Sequence, residues 1–277
     1  MCIRDRLDHS WQSGTWKVTA DYRVFADHLL WASVGTGARA GGFNFIDEQP
    51  FDQEEIFAVE GGFKSSFLDR RLTLNVTGFW YDWRDPQIRG TADNIPLTTN
   101  APSAESYGIE VEGRFVVTPE LILDGSFGWL EATYDRSFSD FERTTPDYSA
   151  PIQSRSPLVD IEGNRLPRSP RFSVSAGAQY THDFDDWGTV TPRVDFYYRA
   201  ETSFRQFDNH LDEQEAYTRT DIRLTWKSTS EQFRLELFMR NLENNAVKTN
   251  QEVFENIYRL HYYDTPRSGG IRIGYDY

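Results

Sequence analysis

Arg171-Phe172-Ser173-Val174-Ser175-Ala176-Gly177-Ala178-Gln179-Tyr180 decides the fold. Phe172, Val174, Ala176, Ala178 and Tyr180 fall on one side of an extended chain. Arg171, Ser173, Ser175, Gly177 and Gln179 fall on the other. Such period-two alternation makes a β-strand with two unlike faces. The division recurs outward in both directions. Upstream, Tyr107, Ile109, Val111 and Phe115 oppose Ser106, Glu110, Glu112 and Arg114. Downstream, Val190, Val194, Phe196 and Tyr198 oppose Thr191, Arg193, Asp195 and Arg199. Ile222, Leu224 and Trp226 oppose Arg219, Asp221, Arg223 and Thr225, and Phe233, Leu235, Leu237 and Met239 oppose Arg234, Glu236 and Arg240. The polar faces mix both signs of charge, which suits a wet lumen with cross-strand ion pairs. The apolar faces end in aromatics, as an interfacial girdle does.

The pattern predicts about eleven strands. They are Trp11–Arg23, Leu29–Ala38, Glu54–Ser65, Arg71–Trp83, Glu105–Val116, Leu121–Tyr134, Arg171–Tyr180, Thr189–Arg199, Glu215–Trp226, Gln232–Asn241 and Ser268–Tyr277. Their connections alternate strictly in length. Tight turns fall at Val24–His28, Leu68–Arg70, Thr118–Glu120, Thr181–Gly188 and Lys227–Glu231. Long loops intervene: through Gly41, Gly42 and Pro50, over Arg84–Pro102, over Asp135–Ser169, through an acidic stretch to Gln214, and before Ser268. One edge of the sheet is thus trimmed and the other elaborated. A soluble sandwich does not sort its loops so regularly. Its strands average about five to six residues, whereas a tilted membrane strand needs about nine to eleven, as here. The fold class is therefore all-β, an antiparallel transmembrane β-barrel.

Composition agrees once barrels are allowed for. Neither the net charge of −14 nor the mean hydropathy of −0.63 suggests a membrane protein. No apolar run approaches the roughly 18–20 residues a transmembrane helix needs. A barrel strand puts only every second residue into lipid, so its hydropathy stays low. Aromatic residues reach 15 %, with 8 Trp, 14 Tyr and 20 Phe, which matches a girdle at each membrane interface. The acidic balance argues against nucleic acid as a partner. The single cysteine, Cys2, rules out an internal disulfide framework. Residues Met1–Arg6 contain no apolar core of a secretory signal.

In outer-membrane barrels the tight turns are periplasmic and the long loops extracellular. The first strand precedes a tight turn and so descends, and Ser268–Tyr277 also descends. An odd number of strands that starts outside implies a comparable length of barrel upstream. Residues 1–10 are read as a non-native or residual loop segment and 11–277 as barrel.

Several local signatures lie on this scaffold. Ser33-Val34-Gly35-Thr36-Gly37-Ala38-Arg39-Ala40-Gly41-Gly42-Phe43-Asn44 closes an ascending strand, and Glu54, Glu60, Gly61 and Lys64 follow on the next. Leu72-Thr73-Leu74-Asn75-Val76-Thr77-Gly78-Phe79 leads to Asp82, Asp85 and Gln87, and Asn100 and Ala101 precede Gly108-Ile109-Glu110-Val111-Glu112. Leu166-Pro167-Arg168-Ser169-Pro170 opens a descending strand, Arg240-Asn241-Leu242 closes an ascending one, and the chain ends Pro266-Arg267-Ser268-Gly269-Gly270-Ile271-Arg272-Ile273-Gly274-Tyr275-Asp276-Tyr277. Taken in this order, from about residue 11 onward, the set resembles the C-terminal half of a TonB-dependent outer-membrane receptor barrel. The resemblance implies a barrel of about 22 strands closed by an N-terminal plug, with the plug and TonB box outside this chain. It also implies energised uptake of a ferric siderophore or another iron complex, with cobalamin or a saccharide as alternatives. The implied partners are the TonB–ExbB–ExbD complex, outer-membrane lipid and lipopolysaccharide, and the barrel-assembly machinery, which would read the terminal Tyr277. The implied location is the outer membrane of a Gram-negative bacterium. A non-transport barrel, an adhesin or an outer-membrane enzyme, is the competing reading.

Catalysis finds little in the sequence. His9, His28, His182, His210 and His261 are scattered without metal-ligand spacing, and no Gly-x-Ser-x-Gly motif is present. Glu110 and Glu112 share a strand face, yet with Arg114 beside them they read as a charge ladder. No catalytic residue, metal or cofactor is expected. Gly35, Gly37, Gly41 and Gly42 read as points of close backbone approach near the rim, and Asn241 as a cap on a strand end. Ligand contacts are expected from the extracellular loops: Arg168, Arg205, Tyr258, Arg259, His261, Tyr262 and Tyr263. Aromatic rings beside cations suit flat anionic chelates, and packing within the loop is the plainer reading. The acidic loop bearing Asp208, Asp212, Glu213 and Glu215 reads as solvated, with divalent-cation binding as the sharper possibility.

Overall fold

A computed structural model describes residues 8–44, 49–92, 95–141, 158–207, 209–254 and 258–276. Eleven strands pair in sequence order: β1 Lys17–Phe25, β2 His28–Arg39, β3 Glu54–Phe67, β4 Leu72–Arg84, β5 Ser103–Val116, β6 Leu121–Tyr134, β7 Phe172–Tyr180, β8 Thr189–Arg199, β9 Tyr217–Lys227, β10 Phe233–Arg240 and β11 Ser268–Tyr275. Every pairing along this path is antiparallel, as expected of hairpins laid side by side. The two-residue strand His182–Asp183 pairs with β8 off the path. The predicted strands all appear, with bounds shifted by a few residues.

The largest shift is at the first strand. It begins at Lys17 instead of Trp11, because the preceding segment leaves the sheet for the loop after β2. Trp11 packs edge-on to Phe43 at 5.8 Å and beside His9 at 4.6 Å. A Cβ on Gly41 would lie 2.4 Å from Trp11 Nε1, so only glycine admits this contact. Residues Met1–Arg6 and Tyr277 lie outside the described residues.

Continuous register carries the alternation across the whole sheet. The apolar face exposes Val18, Leu30, Val59, Ile109, Leu123, Val194, Ile222, Leu237 and Ile273. Aromatics border it at both edges. Near the long loops run Trp16–Phe57, Phe57–Trp80 and Tyr107–Trp129, with ring centroids 5.8–6.5 Å apart. Near the tight turns lie Phe25–His28, His182–Phe184 and Phe233–Tyr275. A face this apolar is stable only against lipid, which takes the place a protein core would otherwise fill.

The long connections are more ordered than expected. Each carries a two-stranded antiparallel pair: Gly42–Phe43 with Pro50–Phe51, Gln87–Ala92 with Ile95–Asn100, Ser139–Phe141 with Leu158–Asp160, Thr202–Ser203 with Glu213–Gln214, and Lys248–Phe254 with Tyr258–Tyr263. Sequence patterning does not mark them because they are short and only partly covered. The protein's one buried apolar cluster among the described residues sits here. Ile88, Ala101, Ala104, Tyr134, Ile161 and Phe207 gather over the ends of β4, β5 and β6.

Candidate ligand-binding site

Two polar regions meet at the long-loop edge. The first is a knot of three loops. Arg168 holds a left-handed backbone (φ 61°), donates its N–H to Ser203 O at 2.8 Å, and reaches Asn250 Oδ1 with its guanidinium at 2.5 Å. Arg205 lies over the Phe207 ring at 4.7 Å and pairs with Asp212 at 3.5 Å. Asp212 is fully buried, and Gln251 Nε2 donates to its Oδ1 at 2.5 Å. The Lys248 N–H donates to Gln214 Oε1 at 2.6 Å. The connections after β6, β8 and β10 are therefore fastened together.

This overturns the reading of the acidic loop as a solvated one at its centre: Asp212 is an internal anchor. Its carboxylate accepts from Gln251 and faces a guanidinium, which compensates its desolvation. Glu215 is exposed, and Asp208 lies outside the described residues.

The structure places the expected site residues in unlike surroundings. Arg168 and Arg205 are both drawn toward the Lys248–Phe254 strand, Arg205 through Asp212. Arg259 is half-buried. The rings of His261 and Tyr263 lie 6.3 Å apart on one face of their strand, and Tyr262 points to the other. Tyr262 and Tyr263 are 44 % and 54 % exposed. For Tyr258 only the backbone, paired with Phe254, belongs to the described residues.

A further polar hinge lies in the loop after β6. Ser137 Oγ and the N–H groups of Phe138 and Glu162 donate to the Asp160 carboxylate. These bonds, the hydroxyl's first among them, hold Asp160 below the usual carboxylate range. A lowered carboxylate contributes stability above its unfolded pKa and loses it as pH falls through the folded value. The Ile161 amide, bonded to Phe138 O at 2.9 Å, should therefore keep its hydrogen-exchange protection through pH 5 and lose it only below about pH 4. Loss of protection already at pH 6 would contradict this.

The second region is the polar face of the sheet. Glu60 accepts from Tyr81 at 2.6 Å and from Ser33 at 3.0 Å. Arg193 on β8 grips both oxygens of Asp124 on β6 at 2.8 and 2.9 Å, and pairs with Asp195 as well. Between those strands lies β7, and the bridge passes over Gly177, where a Cβ would fall 2.5 Å from both Arg193 Nη2 and Asp124 Oδ2. Arg219 grips Asp221 and reaches Asp264 at 2.9 Å, and Arg272 pairs with Glu236 at 2.7 Å. Asn241, with φ 55°, donates to Asn245 O at 3.0 Å and accepts from its N–H, closing β10 as a cap. A sequence reading could not tell which of these charges find partners.

The geometry thus offers an elaborated rim with exposed aromatics, and below it a wall of fixed charge. It contains no group of three or more His, Cys, Asp or Glu placed to hold a metal among the described residues. Residues 4–242 match the family described as TonB dependent receptor-like, beta-barrel. The chain is 23 % identical over 239 residues to the pesticin receptor of Yersinia pestis, covering 84 % of this chain and 32 % of that protein. It therefore spans about a third of the length of the curated relatives it matches. Among solved structures it resembles the ferric yersiniabactin uptake receptor FyuA from Yersinia pestis, with a TM-score of 0.75 at 20 % identity, over 94 % of this chain and 37 % of that one. The siderophore receptor PiuA from Acinetobacter baumannii gives 0.73 at 16 % identity, over 95 % and 36 %.

Proposed function

This chain belongs to the TonB-dependent receptor-like β-barrel family, and we propose on that footing that it forms barrel wall in a receptor that imports a ferric siderophore. The observation that carries this reading is the two-sided sheet. Tight turns line one edge, folded long loops line the other, and an apolar band bordered by aromatics lies between. That arrangement fits a Gram-negative outer membrane with the long loops outside. Residues 11–277 form the barrel in this reading.

Arg168, Arg259, His261, Tyr262 and Tyr263 meet the chelate first, with Tyr258 beside them. Arg205 supports them from below through Asp212. Energy comes through the TonB–ExbB–ExbD complex. Lipopolysaccharide surrounds the outer girdle, and the barrel-assembly machinery recognises the chain end at Tyr277. The relatives whose names mention yersiniabactin and siderophores support iron chelates over other cargo. The test is uptake in the host under iron limitation. Deleting the gene should abolish accumulation of radiolabelled iron supplied as the host's own siderophore complex, and deleting TonB should do the same. Unchanged accumulation in the gene deletion would sink the reading.

A further inference from the structure

The apolar face of the sheet is not uniform. On its turn-edge half, across β6 to β10, lies a trough of about 580 Å³, within the roughly 300–1,000 Å³ of small-ligand sites. The short side chains of Ala178 and Pro192 lie along it, and Tyr180, Leu224, Leu237 and Met239 stand around them, each 39–46 % exposed. Sequence and backbone both mark the place. Proline is rare inside a sheet because it has no N–H to give the ladder. Pro192 pairs with Leu224 on β9, but the β7–β8 ladder stops at Gln179–Arg193 and resumes at His182–Val190. Each of β6 to β10 has both of its sheet neighbours within this chain, so the trough is built without strands from elsewhere.

The trough climbs from the border of the membrane into its core. At one end Leu121 opens β6 and Tyr180 closes β7, opposite each other at the turn edge. At the other end Leu237 lies four residues beyond Phe233, where β10 begins. At about 3.3 Å per residue the difference is roughly 13 Å along the strand. One leaflet's share of an apolar core about 30 Å thick is about 15 Å, so the trough stays within one leaflet. Its lower end is polar. The rings of Tyr180 and His182 stack at 6.4 Å and 14°, which turns the imidazole to the same outward side as the tyrosine. His182 interacts with the Glu120 carboxylate, and the Thr181 N–H between them donates to Glu120 O at 2.8 Å. Asp183, Asp185 and Asp186 follow on the same turn, all exposed. An imidazole N–H suits a phosphate, and carboxylates suit an ammonium group while repelling a headgroup of net negative charge.

We propose that this trough binds one acyl chain of a phospholipid whose headgroup carries both a phosphate and an ammonium, with the headgroup seated against His182 and Glu120. Among lipid tails the hydrophobic effect favours no one seat over another. A shaped hollow does, because a chain lying in it gains dispersion contacts on several sides at once. The charged pair at the lower end then fixes which lipid supplies the chain. The inference rests on the membrane orientation of the reading above, which puts the tight turns in the periplasm and the trough in the phospholipid leaflet. It is independent of the cargo.

The test weighs the intact receptor by native mass spectrometry after extraction from outer membranes in mild detergent. One phosphatidylethanolamine should stay bound through washing, and added phosphatidylethanolamine should be retained about tenfold better than phosphatidylglycerol. Ala178→Phe fills the trough and should lower retention about tenfold. Ala176→Phe, on the same face and one row nearer the long loops, should leave retention unchanged. Heat-modifiable gel migration should be the same in both variants. Should Ala178→Phe not fold, His182→Ala with Glu120→Gln keeps the trough and should abolish the preference between the two phospholipids. Equal retention of the two by the parent, or full retention in Ala178→Phe, would overturn the site and leave the uptake reading standing. Lipid A retained in place of phospholipid would overturn the site and the orientation together. A lipid-free pair of receptor chains would overturn the lipid site and assign the trough to contact between copies.

Discussion

Asp212→Ala is expected to unfasten the connections after β8 and β10 from each other. The substitution removes the carboxylate that Arg205 faces at 3.5 Å and Gln251 contacts at 2.5 Å. Breaking a buried pair on one side costs about 3–5 kcal/mol, because the surviving charge stays desolvated. Arg205 is 17 % exposed, so it cannot turn to water without leaving the Phe207 ring. The connections after β8 and β10 should then become sensitive to protease while the sheet keeps its heat-modifiable migration. If the fold alone were weakened, sheet and loops would fail together. Pairing Asp212→Leu with Arg205→Met should recover much of the resistance, since it removes both charges. Loops as resistant in Asp212→Ala as in the parent would contradict the anchoring role.

Gly177→Leu should strike the sheet itself. The Arg193–Asp124 bridge passes over this position, and even a Cβ would sit 2.5 Å from both partners. The side chain must displace one of them. The loss combines a bidentate, charge-assisted contact with overpacking, together about 2–4 kcal/mol. The midpoint of thermal unfolding, followed by gel migration in detergent, should fall by several degrees. Gly128→Ala is the control on the same face of β6, where the nearest atom to a Cβ is Ser173 O at 4.0 Å. Equal midpoints for Gly177→Leu and Gly128→Ala would show that the bridge contributes nothing.

The two substitutions also separate what could be read early from what could not. The faces of β7 follow from its own residues, so Gly177 was placed on the polar side without any partner in view. That this glycine lies beneath a bridge depends on β6 and β8 being its neighbours and on their register. Likewise, Arg219 and Arg223 are alike in sequence, four residues apart and on one face. Arg219 finds Asp221 on its own strand and Asp264 far along the chain, whereas Arg223 lies opposite Phe238 and stays free. The acidic loop was misjudged for a related reason. Charge density signals exposure on average, but Asp212 is buried against Arg205 of its own loop and Gln251 of the loop after β10. The hairpins of the long connections leave little trace in the sequence because strands of two to seven residues, only partly covered, are too short to show a period.

The sequence by itself determined the strands, their two faces, the sorting of short and long connections, and hence the membrane-spanning fold. All of these rest on periodicity and turn chemistry, which are local. Only the tertiary structure decided which charges cancel and which remain open, and that the long loops are fastened to one another. Those outcomes depend on which strands become neighbours and in what register, and burial sets their energy only once the distant partners have met.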